Sequence, residues 1–254
     1  MTSLARNITT PPRIVGAVTV GLMLGLTSAA QAQTNESKWS IDVGIGWDNS
    51  IAGNINSSTI GSINNQTVVI LTNQYEEVYG TGLHFRVGGG YMLNPTTEAR
   101  VTLAFQGLDS DLATLGDYGA SPLYGDYTDY ESTSLDFGLR RYGKKSDSSL
   151  RPYVEGSIGI GVINAIDLTL AAPQANLTST ANNFYQQTTS FTWGVSAGML
   201  WDITSRMGGF AQLGLRYVSG LADVDNIVGT GLDSINDNSS RWTLPFVIGV
   251  RVGF

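Results

Sequence analysis

Eight stretches of this chain place an apolar side chain at every second position, and that pattern leaves few folds open. They are Trp39–Trp47, Leu83–Leu93, Ala99–Gly107, Ser132–Arg141, Arg151–Ile163, Phe191–Trp201, Gly209–Val218 and Arg241–Phe254. Period-two alternation marks β-strands with two unlike faces. One face reads Trp39, Ile41, Val43, Ile45, Trp47 in the first stretch and Trp242, Leu244, Phe246, Ile248, Val250, Val252, Phe254 in the last. Across all eight stretches its one charge is Arg141. The opposite face collects Asp42, Arg86, Arg100, Asp136, Arg140, Arg151, Glu155, Arg216, Arg241 and Arg251, with His84 and many Gly, Ser and Thr.

A soluble β-sandwich would bury the apolar face and wet the polar one. Two features favour the reverse. Aromatics gather at strand ends (Trp39, Trp47, Tyr91, Trp201, Tyr217, Trp242, Phe254), as at a lipid–water boundary. The charged face is rich in glycine, which makes room inside a narrow tube. The expected fold is all-β: an eight-stranded antiparallel up-and-down transmembrane β-barrel. The connections agree, because short links (such as Asn94–Thr97) alternate with long ones (Asp48–Gly82, Leu108–Glu131, Asn164–Ser190, Ser219–Ser240). Short periplasmic turns and long external loops are the layout of outer-membrane barrels. A ten-stranded barrel would need Gln66–Thr72 as a spanning strand. Its four consecutive apolar residues do not alternate, so this segment is read as part of a hairpin above the membrane.

Residues 1–32 read as an address. A leader with Arg6 and Arg13 precedes the apolar run Ile14–Leu26 and an Ala-x-Ala site at Ala30 and Ala32. That is the layout of a cleaved secretory signal peptide, and the run is too short to span a bilayer. Residues 33–254 are then the barrel domain. There is no Cys and a single His, which excludes thiol chemistry, zinc fingers and multi-His metal sites. A net charge of −7 argues against a nucleic-acid partner.

The chain ends Val247-Ile248-Gly249-Val250-Arg251-Val252-Gly253-Phe254. A terminal aromatic, with hydrophobics on alternate positions before it, resembles the assembly signal of outer-membrane β-barrel proteins. With the leader and the eight strands, the mature chain resembles small barrels of the outer-membrane protein β-barrel domain family, of the OmpA-transmembrane-domain and opacity-like shape. The resemblance implies a bacterial outer-membrane location, a lipid surround, and recognition of Gly249, Val252 and Phe254 by the barrel-insertion machinery.

An eight-stranded barrel has an interior that side chains can fill. Asp42, Arg86, Arg100, Asp136, Arg140, Glu155, Arg216 and Arg251 are expected there as a paired ion network. Arg151 and Arg241, at strand ends, can reach bulk water. Asp42 and Arg251 are expected to pair or share a network across the seam of first and last strands, unless shear turns Asp42 to Arg86 or Arg100. His84 lies on the luminal face near the outer rim, where Asp48 could orient it, but no nucleophile accompanies it. No catalytic residue, metal site or cofactor is assigned. The loops carry Asp109, Asp111, Asp117, Asp126, Asp129, Asp223, Asp225, Asp233 and Asp237 among Tyr, Asn and Ser. Their spacing matches no EF-hand, and they suit a solvated surface or contact with an extracellular ligand. The expected role is that of a monomeric structural or surface-interaction barrel. A narrow porin-like channel and a lipid-modifying enzyme stand as alternatives.

Overall fold

The computed structural model describes residues 38–144, 150–223, 230–236 and 239–254. The leader, with Ala30 and Ala32, lies outside them, as do Asp225 and Asp237. Eight strands form a closed antiparallel barrel in chain order. They are β1 Trp39–Ala52, β2 Gly82–Asn94, β3 Thr97–Leu108, β4 Tyr130–Tyr142, β5 Leu150–Ile163, β6 Thr188–Asp202, β7 Met207–Val218 and β8 Arg241–Gly253. The barrel closes where β8 pairs with β1, with Asp42 opposite Arg251 and Gly44 opposite Gly249. The main chains of Trp39 and Phe254 bond across the same seam, Phe254 N–H to Trp39 O at 2.8 Å.

The apolar face points outward. Ile45, Leu103, Phe137, Ile158, Val195, Leu213 and Ile248 are all exposed on the barrel wall. Aromatic groups mark its two edges. Trp39 packs on Tyr91 with centroids 4.7 Å apart at the turn end. Trp193, Tyr217 and Trp242 cluster at the loop end with centroids 5.1–6.2 Å apart. An apolar band between aromatic girdles is the surface a barrel shows to lipid. Among the described residues no helix is long and apolar enough to cross a membrane.

Above the barrel the long loops build a second sheet. Its seven strands run in the order Ala222–Asp223, Leu177–Gln186, Ile166–Ala172, Ser121–Tyr127, Ala113–Tyr118, Gln66–Ile70, Thr59–Ile63. All four long loops contribute. The far edge is joined to the last loop by Ser62 N–H to Thr230 O at 2.7 Å. Gln66–Ile70 is thus a hairpin partner of Thr59–Ile63, as expected, and the barrel keeps eight strands. The loops are otherwise more ordered than their sequence suggested. In this crown the faces invert. Ile166, Leu168, Leu170 and Ala172 point inward and are buried. They join Leu115, Leu123, Tyr127, Phe184 and Tyr185 in one core. The cause is the surroundings: lipid outside the barrel rewards apolar-out, and water outside the crown rewards apolar-in.

One ladder is interrupted. The β7–β8 register runs from Met207–Val252 to Leu213–Phe246 and resumes at Arg216–Thr243. Pro245 lies in the gap, and proline has no N–H to give Gly214.

Candidate functional site

The luminal side chains stack in tiers, and glycines make the space. A Cβ at Gly88 would lie 2.6 Å from both Asp42 Oδ1 and Arg100 Nη2, and one at Gly90 would lie 1.9 Å from Glu98 Oε1. Parts of β2 therefore stay bare where the ions sit.

At the turn end Glu98 is the hub. It is fully buried and accepts from Arg251 Nη2 at 2.6 Å and Nη1 at 2.9 Å, from Ser40 Oγ at 2.7 Å and from Tyr142 Oη at 2.6 Å. Arg251 also donates to the Tyr142 hydroxyl. Arg100 reaches Glu98 at 3.4 Å and makes its short contact with Asp42. Asp42 and Arg251 face each other in register but bind elsewhere, linked through Arg100 and Glu98. A shared network forms in place of a direct pair, and Asp42 turns to Arg100. Both guanidinium groups, of Arg100 and Arg251, reach the one Glu98 carboxylate.

In the next tier Arg140 binds Glu155 at 2.7 Å and stacks over Tyr153 at 4.0 Å. Arg100 Nε stands 3.4 Å from the same carboxylate. Gln212 Oε1 accepts from Arg86 at 2.7 Å, Tyr153 at 3.1 Å and Arg140 at 3.3 Å, while its Nε2 donates to Ser196 Oγ at 2.7 Å. Higher up, Asp136 accepts from Thr192 at 2.7 Å and Ser134 at 3.0 Å, and Arg216 lies 3.3 Å away. A cavity of about 70 Å³ opens between these groups, lined by His84, Arg86, Asp136, Glu155, Gln212 and Arg216 among others.

At the loop end Arg241 is buried, contrary to the expectation that it reaches water. The crown covers it. Its guanidinium lies 4.2 Å from the Tyr130 ring centroid and 5.6 Å from that of Tyr75, and donates to Gln106 Oε1 at 2.8 Å. Gln106 Nε2 in turn donates to Asp48 at 2.6 Å. Asp48 is thereby committed to Gln106 and, at 4.0 Å, Arg241, and not to His84. Tyr75, Tyr79 and Tyr130 pack edge and face above Arg241. Burial pushes the Tyr75, Tyr79 and Tyr127 phenols well above their ordinary range. Each donates to a defined acceptor: Ser239 O, Thr128 O and Asn56 Oδ1. Arg151, at the turn end, donates to Pro95 O and covers Tyr142 at 4.3 Å.

The eight expected luminal residues all lie on the inward face. Glu98 and Gln212 were missed. Glu98 falls just before the stretch read as the third strand, although its even number matches Arg100, Thr102 and Gln106. Gln212 carries no charge to draw attention. Gly249 faces inward, where a Cβ would meet Val43 O at 2.2 Å and Phe210 at 2.6 Å. Phe254 is exposed on the outer wall. Among the described residues no three His, Asp or Glu side chains converge as a metal site requires.

The fold is a closed eight-stranded antiparallel β-barrel with its apolar face outward. No family model and no curated protein matches the chain. Solved structures do. Neisserial surface protein A matches at 13% identity and a TM-score of 0.45, covering 87% of this chain and 100% of that one. A major outer membrane protein from Thermus thermophilus gives the same figures. The outer membrane protease OmpT from Escherichia coli matches at 6% identity and a TM-score of 0.39, covering 89% and 99%.

Proposed function

We propose that this protein is a non-conducting barrel of the bacterial outer membrane that holds a rigid crown at the cell surface, and that the crown is its working part. The supporting observation is the lid. Tyr75, Tyr79 and Tyr130 close over Arg241, and the apolar crown core continues above them. The other end is filled by Tyr142, Tyr153, Leu200, Phe210 and Val247 together with the Glu98 hub. A lumen filled this way is a structural plug. In this reading the short turns face the periplasm, the chain enters by its leader and a terminal strand read by the insertion machinery, and it stands as a monomer in lipid.

The non-catalytic reading is favoured by His84. It is buried, and the carboxylate that could orient it is engaged elsewhere. The crown offers acidic and amide side chains between ordered strands, a surface suited to contact with an extracellular partner. Planar-bilayer recording tests the plug: the wild-type protein is expected to give no unitary steps, and regular open-channel conductance would overturn the proposal. Removing the lid by Tyr75→Ala with Tyr130→Ala is expected to raise leak through the same bilayer.

A further inference from the structure

The lumen as a whole carries more positive charge than its carboxylates answer. Leaving aside Arg151 and Asp202 at the turn-end rim, where both reach solvent, the inward face holds Arg86, Arg100, Arg140, Arg216, Arg241 and Arg251 against Asp42, Asp48, Glu98, Asp136 and Glu155. Every arginine of that group has a carboxylate within 4.0 Å except Arg86, which has none among the described residues. Arg86 is buried, with 6% of its surface exposed. The carboxylates that act on it, Asp42 and Glu155, are held by Arg100 and Arg140. Its hydrogen bond goes to Gln212 Oε1, which also takes Arg140 and Tyr153, one donor more than its two lone pairs serve well.

Two polar atoms near this cavity have no partner in the protein: Arg86 Nε and His84 Nδ1, on residues 6% and 5% exposed. Both residues line the cavity, as does Arg216, whose one carboxylate contact, with Asp136, is long at 3.3 Å. A buried guanidinium without a counter-charge is costly, and the usual remedy is an anion. The two acids on the wall do not compete for the space. Asp136 is occupied by Thr192, Ser134 and Arg216, and Glu155 by Arg140 and Arg100. A volume of about 70 Å³ holds several waters, or one small anion with water beside it.

We propose that this cavity is the seat of one small monovalent anion of halide size, held by Arg86 and Arg216, with Nδ1–H of His84 as a third donor. The anion restores charge balance in the lumen, so it is a structural component bound as the barrel closes. The inference is independent of conductance, because a site can be filled whether or not ions pass.

The test uses bromide as the probe. The protein is refolded into detergent micelles in sodium bromide and crystallised, and anomalous scattering is measured at the bromine edge. The expected result is one peak in the cavity within hydrogen-bond reach of Arg86 and Arg216. Arg86→Gln is expected to lose the peak and Arg86→Lys to keep it. A cavity holding water alone in the wild-type protein overturns the proposal. So does a bromide peak of undiminished height in Arg86→Gln. Should Arg86→Gln fail to fold, Arg216→Gln serves in its place, with the peak again expected to weaken. An adventitious ion only, scattered on the outer surface with nothing in the cavity, also counts against it.

Discussion

Replacing Glu98 by Ala removes the acceptor on which the turn end of the lumen converges. Arg251 loses a two-toothed partner, and Ser40 and Tyr142 lose theirs. Arg100 keeps Asp42 and Glu155. Breaking a buried ion pair from one side costs roughly 3–5 kcal/mol, and each abandoned neutral donor adds on the order of 1 kcal/mol. Against that, the Arg251 side chain is 13% exposed and can turn toward the barrel mouth. The expected cost of Glu98→Ala is therefore about 3 kcal/mol, with Glu98→Gln near half of it because hydrogen bonds survive without the charge. Urea unfolding in lipid vesicles, followed by tryptophan fluorescence, measures it. A double-mutant cycle locates it: Glu98 with Arg251 is expected to couple by about 2 kcal/mol, and Asp42 with Arg251 by less than about 0.5 kcal/mol. A Glu98→Ala barrel as stable as wild type, or strong direct coupling of Asp42 to Arg251, refutes the hub.

Phe254→Asp is expected to abolish assembly in cells, since it puts a charge where an aromatic meets the interface; heat-modifiable gel mobility reports the folded form, and a fully folded variant contradicts the assembly role. Leu115→Ala, in the crown core with 0% exposure, is expected to cost the crown roughly 2–5 kcal/mol while leaving the barrel closed. Protease should then cut the crown, with heat-modifiable mobility unchanged. Tyr75, Tyr79 and Tyr127 have folded pKa values raised above those of the unfolded chain. Their contribution is complete below the ordinary phenol pKa of about 10 and is lost as pH rises beyond it. Absorbance titration at alkaline pH should find these three silent until the crown unfolds.

The barrel was legible because lipid imposes one rule along the whole height of every strand. Phe137 and Ile158 point out for the same reason, so alternation persists along the full strand and marks each one. The crown was legible only in part. Ile166, Leu168, Leu170 and Ala172 do alternate, but over a short segment, and the apolar face has the opposite sense to that of the barrel. Gln66–Ile70 breaks alternation because Val69 is half-buried between buried Val68 and Ile70. The burial of Arg241 has no local signal, because what covers it, Tyr75 and Tyr130, comes from distant parts of the chain. Asp42 and Arg251 were placed in register by counting from the strand ends. Which carboxylate each guanidinium takes is a matter of side-chain reach, and Glu98 stands one residue before the apolar alternation begins at Ala99.

The interlocked crown has a consequence for how such a surface can change over generations. Loops that stand apart can each be lengthened, shortened or exchanged without reference to the others. Here the hairpin of the first loop hydrogen-bonds to the last loop and to the second, and the second pairs with the third. A change within any strand of that ring must be answered by its neighbours. Freedom is confined to the tips, such as Asn64–Asn65 and Gly119, where the backbone already turns through positive φ. Variation under pressure from outside should therefore collect at these points, and peptide insertions for display should be tolerated there and hardly anywhere else on the crown.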